Sequence, residues 1–521
     1  MIHIIILCIL LLSVLILTIQ YKDTEKTPSK QKTGGMDIKH FIILPNQLFH
    51  KTEAVRYSNI HIIEDPTYFT KYKFHKLKLI FHRATMRTYA DQLRERAVGK
   101  VNYINFNDAE KFYKTLNQET AVMYDPVDDD VEKRLQNINI LPTPYFLNTR
   151  ESLEEYRDSI KGKSYRHDSS FYPWMRKKYN VLMTKDGKPK DGKPKGGKYT
   201  YDSENRNPFP DKQKEPKRFI ARHNKYIDEA VRYVERHFKN NYGETTYFVY
   251  PHTHAGAIAH LRDFLKKRLK LFGKYQDAAA SDITFGYHSV ISSSLNAGLI
   301  TPREVLDEID KLRDIKIPIN SLEGFIRQLI GWREYCHLLY RYESDKMRKS
   351  NHFNHTRKLT DAWWEGKTGL GPIDDICARI NKYAYAHHIE RLMWLSAVML
   401  MCGVAPNEVY AWFIGFVSID AYDWVMTPNI YGMGTYADGG IMMTRPYFSS
   451  FSYIKKMSNW NDPEDAKIWN ALYYNFIGEN KNKLKKNYYT ARWVGNYDRK
   501  SAGERKEIKE IADGFITANT K

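Results

Sequence analysis

The pattern of apolar and polar positions changes character partway along the chain. The first part carries short apolar runs: FIILP at 41–45, IHIIED at 60–65, VNYINF at 101–106 and INILPTPYFL from Ile138. Each is β-rich and bounded by turn-forming or polar residues, which predicts strands. Between Phe74 and Ala97 the apolar residues return at helical spacing instead, as Phe74, Leu77, Phe81, Ala84 and Leu93. Strands alternating with helices predict an open, parallel, doubly wound sheet. From about Pro216 the pattern is helical, with apolar stripes over 219–238, 255–271, 302–315, 321–341 and 374–401. The expected architecture is an α/β domain at 37–150, an interdomain loop region at 151–215 and a large all-helical domain at 216–521. The segment 184–200 repeats DGKPK and reads as an exposed loop.

Ahead of these lies a different pattern. Residues 2–19 are almost purely apolar, near the lower limit for a membrane-spanning helix. Lys22, Lys26, Lys30 and Lys32 follow and no Lys or Arg precedes, so an anchored protein would keep its folded part on the cytoplasmic side. A cleaved signal peptide, or translation starting at Met36, are the other readings of this leader. Residues 21–36 are polar and read as a linker.

Composition narrows the partners. Lys and Arg number 81 against 61 Asp and Glu, a net charge of +20, so nucleic acid and anionic membrane surfaces are the candidate partners. Four cysteines without a C-x-x-C pair argue against a disulfide framework or zinc ribbon and for an intracellular protein. The HTH string at 252–254 lacks a third metal ligand and reads as the start of a helix.

Several longer strings in the second part go beyond periodicity: SLEGFIRQLIGWREY (321–335), WWEGKTGLGPIDD (363–375), AYAHHIERLM (384–393), DAYDWVMTPNIYGM (420–433) and YADGGIMMTRPYFSSFSYIKKMS (436–458). With ILPNQL near the first strand, MRTYADQL at 86–93 and DSENRNP at 202–208, they resemble the photolyase-related branch of the photolyase/cryptochrome superfamily, the bacterial (6-4) photolyases. The resemblance runs from about Asp37 to the C-terminus. It implies an antenna-like α/β domain and a helical domain holding FAD beside a pocket for a flipped-out lesion in UV-damaged DNA. In such a protein the cofactor carries the chemistry, and the chain supplies position and electrostatics. A monomer is expected.

The resemblance assigns roles to particular residues. His387 and His388 are expected beside the lesion, one of them as proton donor; adjacent residues on a helix diverge by roughly 100°. Arg391 is expected to pair with Asp420 beside the flavin ring. His288, Ser289 and Ser292 in YHSVISSSLNAG, with Gln328 and Met426, complete the expected cofactor set. Trp364 and Trp412 match electron-relay tryptophans, and Tyr447 and Tyr453 match lesion-site tyrosines. Arg206 matches a DNA-binding residue, and Asp202, Asn205 and Asp277 match oxygen ligands for Mg²⁺. Taken singly, most of these would be ordinary packing residues or ion pairs.

The sequence also departs from the pattern. Pro372, Asn461, Glu464 and Lys467 stand near where the family carries its four cluster cysteines, so no iron–sulfur cluster is expected. Met426 stands where a polar residue would face the flavin. Asn46 replaces an expected acid and Ile63 a thiol in the antenna pocket, which leaves a lumazine-type antenna open. The expected function is light-driven repair of a pyrimidine (6-4) lesion. The alternatives are a cryptochrome-like blue-light photoreceptor and a DNA-binding protein that has lost its flavin.

Overall fold

The computed structural model describes residues 38–184, 192–312 and 316–521. Five parallel strands form one sheet: β1 (His40–Ile43), β2 (Asn59–Ile63), β3 (Lys100–Ile104), β4 (Ala121–Tyr124) and β5 (Asn139–Leu141), in the order β3-β2-β1-β4-β5. The chain starts at the centre, winds outward to β3, then crosses back to β4 beside β1. That reversal is the doubly wound topology. Phe41 pairs with Ile60 on one side and Val122 on the other. Phe41, Ile42 and Ile43 are fully buried because helices cover both faces, which explains why β1 reads as an unbroken apolar run.

The predicted helix after β2 is α1 (Lys76–Arg94). It packs against α2 (Lys225–His237), the first long helix of the helical part, whose Ile227, Ala230 and Val234 face inward. Arg83 on α1 is buried and ties the two parts together: it donates to Glu64 at the end of β2 (2.7 Å) and to Glu229 on α2 (2.6 Å). α1 also reaches the loop that carries Asp420, where Lys78 donates to the carbonyls of Ala421 and Ile414.

The structure corrects several expectations. β4 reads AVMY and has no alternation of its own, so its short apolar run escaped the sequence pattern. The interdomain region is not only loop: helices span Arg150–Ser159 and Tyr172–Lys178, the latter preceded by a π-helical turn at His167–Phe171. The helix expected over 219–238 begins only at Lys225, where Asn224 caps it. The helix expected over 374–401 is two. One spans Gly371–Tyr383 and stops at Ala384, whose φ of +48° cannot continue a right-handed helix. The next begins at His388. His254 does open a helix (His254–Lys267), capped by Thr253.

The leader falls on residues 2–19, outside the described residues, and the repeat lies mostly in 185–191, also outside them. Among the described residues no helix is long and apolar enough to cross a membrane.

Candidate functional site

Four π-helical segments interrupt the helices of the second part: Arg327–Trp332, Glu390–Ser396, Phe413–Val417 and Pro428–Gly434. A π turn widens the helix and rotates the side chains that follow it, and such turns recur at functional sites. Three of the four point residues into a single cavity of about 240 Å³. Gln328, Leu329 and Trp332 come from the first, Arg391 from the second, and Asn429 and Met433 from the last.

The other walls come from two loops and their helices. Ser289 and Ile291 lie at the strained turn before the helix Ser292–Ala297, and Ser292, Leu295 and Asn296 lie within it. Val290 in the turn adopts a φ of +58°, unfavourable for a β-branched residue and held only by its surroundings. Asp420, Trp424, Val425 and Met426 continue the wall beside that helix, and the Asn296 amide donates to the Asp420 carbonyl at 2.7 Å. Arg391 donates to Asp420 through both terminal nitrogens, at 3.1 and 3.4 Å, and its Nε donates to the Ala386 carbonyl at 2.6 Å. Burial would push the Asp420 carboxyl up, but Arg391 and the hydroxyls of Ser292 and Ser418 outweigh it and hold it below its ordinary value.

The two adjacent histidines face different surroundings. His388 lines the cavity, where burial and the Arg391 charge lower its pKa to about 4. His387, just before the helix, stacks on His288 with ring centroids 4.7 Å apart and lies 3.6 Å from Glu390. Burial, then the charges of Arg379, His388 and Arg391, push His387 well below the ordinary histidine value. His288 therefore supports His387 and is absent from the cavity wall.

A second pocket, of about 390 Å³, lies on the other side of the same segment. Ile389, Leu392 and Met393 form its apolar floor, with Tyr447, Phe448, Tyr453, Tyr473 and Trp493 as aromatic walls and Arg206, Arg445 and Asp277 as its charged lining. Burial, then the nearby Asp202 carboxylate, raises Asp277 to about 7. Asp202 itself is met by Arg206 and by Arg327, the latter at 3.2 Å. Asn205 turns its amide to Gln276 and Asn320. Among the described residues no group of three or more His, Cys, Asp or Glu side chains could hold a metal ion.

The two tryptophans do not touch. Trp412 is buried and contacts Trp363 (centroids 6.4 Å apart) and Phe416 (5.3 Å). Trp364 is half-buried and stacks on Tyr242 at 5.5 Å, and Tyr242 contacts Phe416 at 5.7 Å. Aromatic contact from Trp412 to Trp364 thus runs through Phe416 and Tyr242.

The residues near the family's cluster position do not suit an iron–sulfur cluster. Pro372 opens the helix Gly371–Tyr383, and the Gly371 amide donates to Asp465 Oδ1 at 2.8 Å. Asp462 caps the helix that carries Glu464, Asp465 and Lys467. Cys336, Cys377 and Cys402 are buried thiols; burial raises Cys336 and Cys402 to about 12, the reverse of what metal ligation needs. In the α/β domain, Asn46 donates to the Pro126 carbonyl at 3.0 Å and Ile63 is fully buried at the end of β2.

Residues that the sequence did not single out complete the cavity. Arg333 is buried among the rings of Tyr145, Phe146 and Trp424, and its Nε has no partner; Asn296 accepts from it. Outside the cavity lining, Ser293 Oγ, Ser294 Oγ and His288 Nε2 are also buried without partners. Serine and asparagine groups beside the guanidinium groups of Arg333 and Arg391, with Leu329, Trp424, Val425 and Met426 as apolar walls, suit an anionic ring cofactor.

A doubly wound sheet followed by a large helical part is the fold of the photolyase/cryptochrome class. A family described as deoxyribodipyrimidine photo-lyase-related protein matches residues 41–250. The (6-4) photolyase of Agrobacterium fabrum is 31% identical over 471 residues, covering 85% of this chain and 91% of that protein. The chain belongs to the photolyase-related family. Solved structures agree in fold: a bacterial class III photolyase from Agrobacterium tumefaciens superposes with a TM-score of 0.52 at 16% identity, over 94% of this chain and all of that one. A cryptochrome from Synechocystis sp. gives 0.52 at 15% identity, over 92% and 99% of the two chains.

Proposed function

We propose that the chain repairs a UV photoproduct in DNA, the pyrimidine (6-4) pyrimidone adduct, in a light-driven reaction with FAD as cofactor. The observation that carries this reading is the placement of two pockets across one segment: His388 and Arg391 face the first, Ile389 and Leu392 the second. FAD held in the first cavity supplies light absorption and a transferable electron. Ser289, Ser292, Asn296 and Arg333 would hold its polar part, and Gln328, Met426 and Trp424 would bound its ring. Arg391, fixed by Asp420, places a guanidinium charge where an electron-rich ring is favoured.

The second pocket offers aromatic rings on which a flipped-out base stacks, and Arg206 beside them to meet the strand. His388 faces the first cavity, where burial and the Arg391 charge lower it to about 4, so it is neutral at pH 7 in the protein alone and keeps one ring N–H on the cofactor side. Negative charge entering the cavity raises its pKa and makes a proton available there. Asp202 already has two guanidinium partners, so no step is assigned to a cation. Met426 is apolar and cannot donate a hydrogen bond to a ring nitrogen; repair then depends on Arg391 alone for charge at that side of the ring.

The test is light-dependent repair of a defined (6-4) oligonucleotide by the protein with its flavin chemically reduced, beside His388→Ala. Repair in light only, lost in the variant, is the expected result. If flavin is bound and cycles under light while both (6-4) adducts and cyclobutane dimers persist, repair is excluded and a photoreceptor role replaces it.

A further inference from the structure

Beside the lesion pocket lies a concavity with a different lining. Lys161, Lys163 and Arg166 surround it, together with the hydroxyls of Ser164, Ser169 and Ser170. None of the three cations pairs with a carboxylate among the described residues, whereas Arg206 and Arg391 in the walls of the two pockets do. No Asp or Glu lines the concavity. The backbone builds the display: Lys161 (φ +49°) and Gly162 (φ +73°) form a left-handed turn after the helix Arg150–Ser159, which folds the chain back so that Lys161, Lys163 and Arg166 share one hollow. A left-handed lysine beside a glycine is an uncommon conformation, kept here by the Lys163 amide bonding back to the Ile160 carbonyl at 3.0 Å.

Its location gives the hollow meaning. His167, next to Arg166, stacks on Trp332 with centroids 3.7 Å apart, and Trp332 lines the cofactor cavity. Asp168 lies within the electrostatic reach of Arg206 and Tyr447, both in the wall of the second pocket. The cationic hollow is thus joined through His167 and Asp168, the two residues after Arg166, to the walls of both pockets. Unpaired lysine and arginine with serine hydroxyls match a phosphodiester, which carries one negative charge and several acceptor oxygens.

We propose that Lys161, Lys163 and Arg166 form a seat for the DNA backbone next to the lesion, holding phosphates while the damaged base leaves the stack. The proposal rests on DNA being the partner. Its function is positional and carries no sequence information, so it acts equally on damaged and undamaged duplex.

The test is the salt dependence of duplex binding by the flavin-loaded protein, measured by fluorescence anisotropy with undamaged and (6-4)-containing duplexes. Each phosphate contact contributes about 0.9 to the slope of log K against log salt. The variant K161A/K163A/R166A is expected to lower the magnitude of that slope by about 2.7 on both duplexes. The charge-conserving K161R/K163R/R166K should restore it. As a control, K100A/K111A/K114A removes three exposed lysines from the α/β domain and should leave the slope unchanged. An unchanged slope in the first variant, or an equal fall in the control, overturns the seat. No binding to either duplex by the unmodified protein overturns instead the DNA-repair reading on which it rests. An unchanged flavin spectrum and melting temperature show that the exposed substitutions have not unfolded the protein.

Discussion

Replacing Arg391 by Leu tests whether the Arg391–Asp420 pair behaves as a buried ion pair. The Asp420 side chain is 10% exposed and Arg391 15%. Exposed pairs contribute about 0–1 kcal/mol, whereas stripping one partner from a buried pair costs about 3–5 kcal/mol because a charge is left uncompensated. The Ser292 and Ser418 hydroxyls remain, which sets the expectation at the lower end, about 3 kcal/mol at pH 7. The loss should also depend on pH. In the unmodified protein Asp420 is held below its ordinary value, so its stabilisation is present above the unfolded pKa and lost as pH falls through the folded one. Without Arg391, burial is the dominant influence and pushes the carboxyl above its unfolded value of about 3.9. The folded variant then takes up a proton more readily than the unfolded chain, and the loss relative to the unmodified protein shrinks from pH 7 to pH 5. The recovery is at most about 2.7 kcal/mol over those two units. Urea denaturation of R391L, D420N and R391L/D420N at both pH values reads the effect, and flavin absorbance at each step reports cofactor retention. A loss under about 1 kcal/mol at pH 7, or one that does not change with pH, would refute the argument that the pair is buried and mutually required.

His387 and His388 should separate in kinetics. His388→Ala abolishes repair of the (6-4) adduct with flavin still bound, while His387→Ala releases its stack on His288 and weakens flavin retention as well. Buried histidines should make the protein acid-labile. Burial chiefly lowers His61, His75, His252, His254 and His355 to about 4 and His260 to about 3, and it holds His82 and His337 well below the ordinary histidine value. Stability from these groups is present above pH 6.5 and lost as pH falls towards 4. Unfolding at pH 5.5 is expected to take up about seven protons through them, offset by about three released from Asp128, Asp277 and Asp438, whose carboxyls are raised; calorimetry in buffers of different ionisation heat showing net release would contradict this. For electron supply, Trp412→Phe should stop flavin photoreduction, and Trp364→Phe or Tyr242→Phe should slow it at least about tenfold, or about 1.4 kcal/mol. If Trp363→Phe blocks it instead, the relay leaves Trp412 through Trp363. Asp465→Ala removes the tie to Gly371 and should cost about 1 kcal/mol. The unmodified protein should contain no stoichiometric iron or acid-labile sulfide, and a fourfold iron content would refute the reading of that region.

What could be read from the sequence follows from which signals are local. β1 and β2 show as apolar runs because both faces of the sheet are covered there, β3 at the edge shows through its β-rich composition, and α1 shows through its spacing. β4 has only four residues between polar neighbours, and its identity as a strand comes from pairing with β1 and β5, a contact that no local pattern carries. The divergence of His387 from His388 was expected from helical geometry, but the structure produces it differently. Ala384 ends one helix, so His387 stands outside the next one and turns to His288, while His388 begins it and faces the cavity.

The cofactor cavity was legible mainly through the ordered motifs, and the π-helical segments show why spacing alone falls short. An α-helical projection of 321–341 assigns its faces by a constant 3.6-residue turn. The extra residue per turn at Arg327–Trp332 shifts that assignment, and it is across this shift that Gln328, Trp332 and Arg333 all come to line one wall. Arg333 reads on the sequence as one of 81 lysines and arginines. Its burial among three aromatic rings, with Asn296 as acceptor and a free Nε, depends on segments from both parts of the chain meeting there. The motifs identify which residues matter, whereas the widened turns decide which of them share a cavity. His388 and Arg391 line the first cavity while Ile389 and Leu392 line the second pocket, and the proposed sharing of one short stretch of chain between cofactor and lesion rests on this two-sidedness.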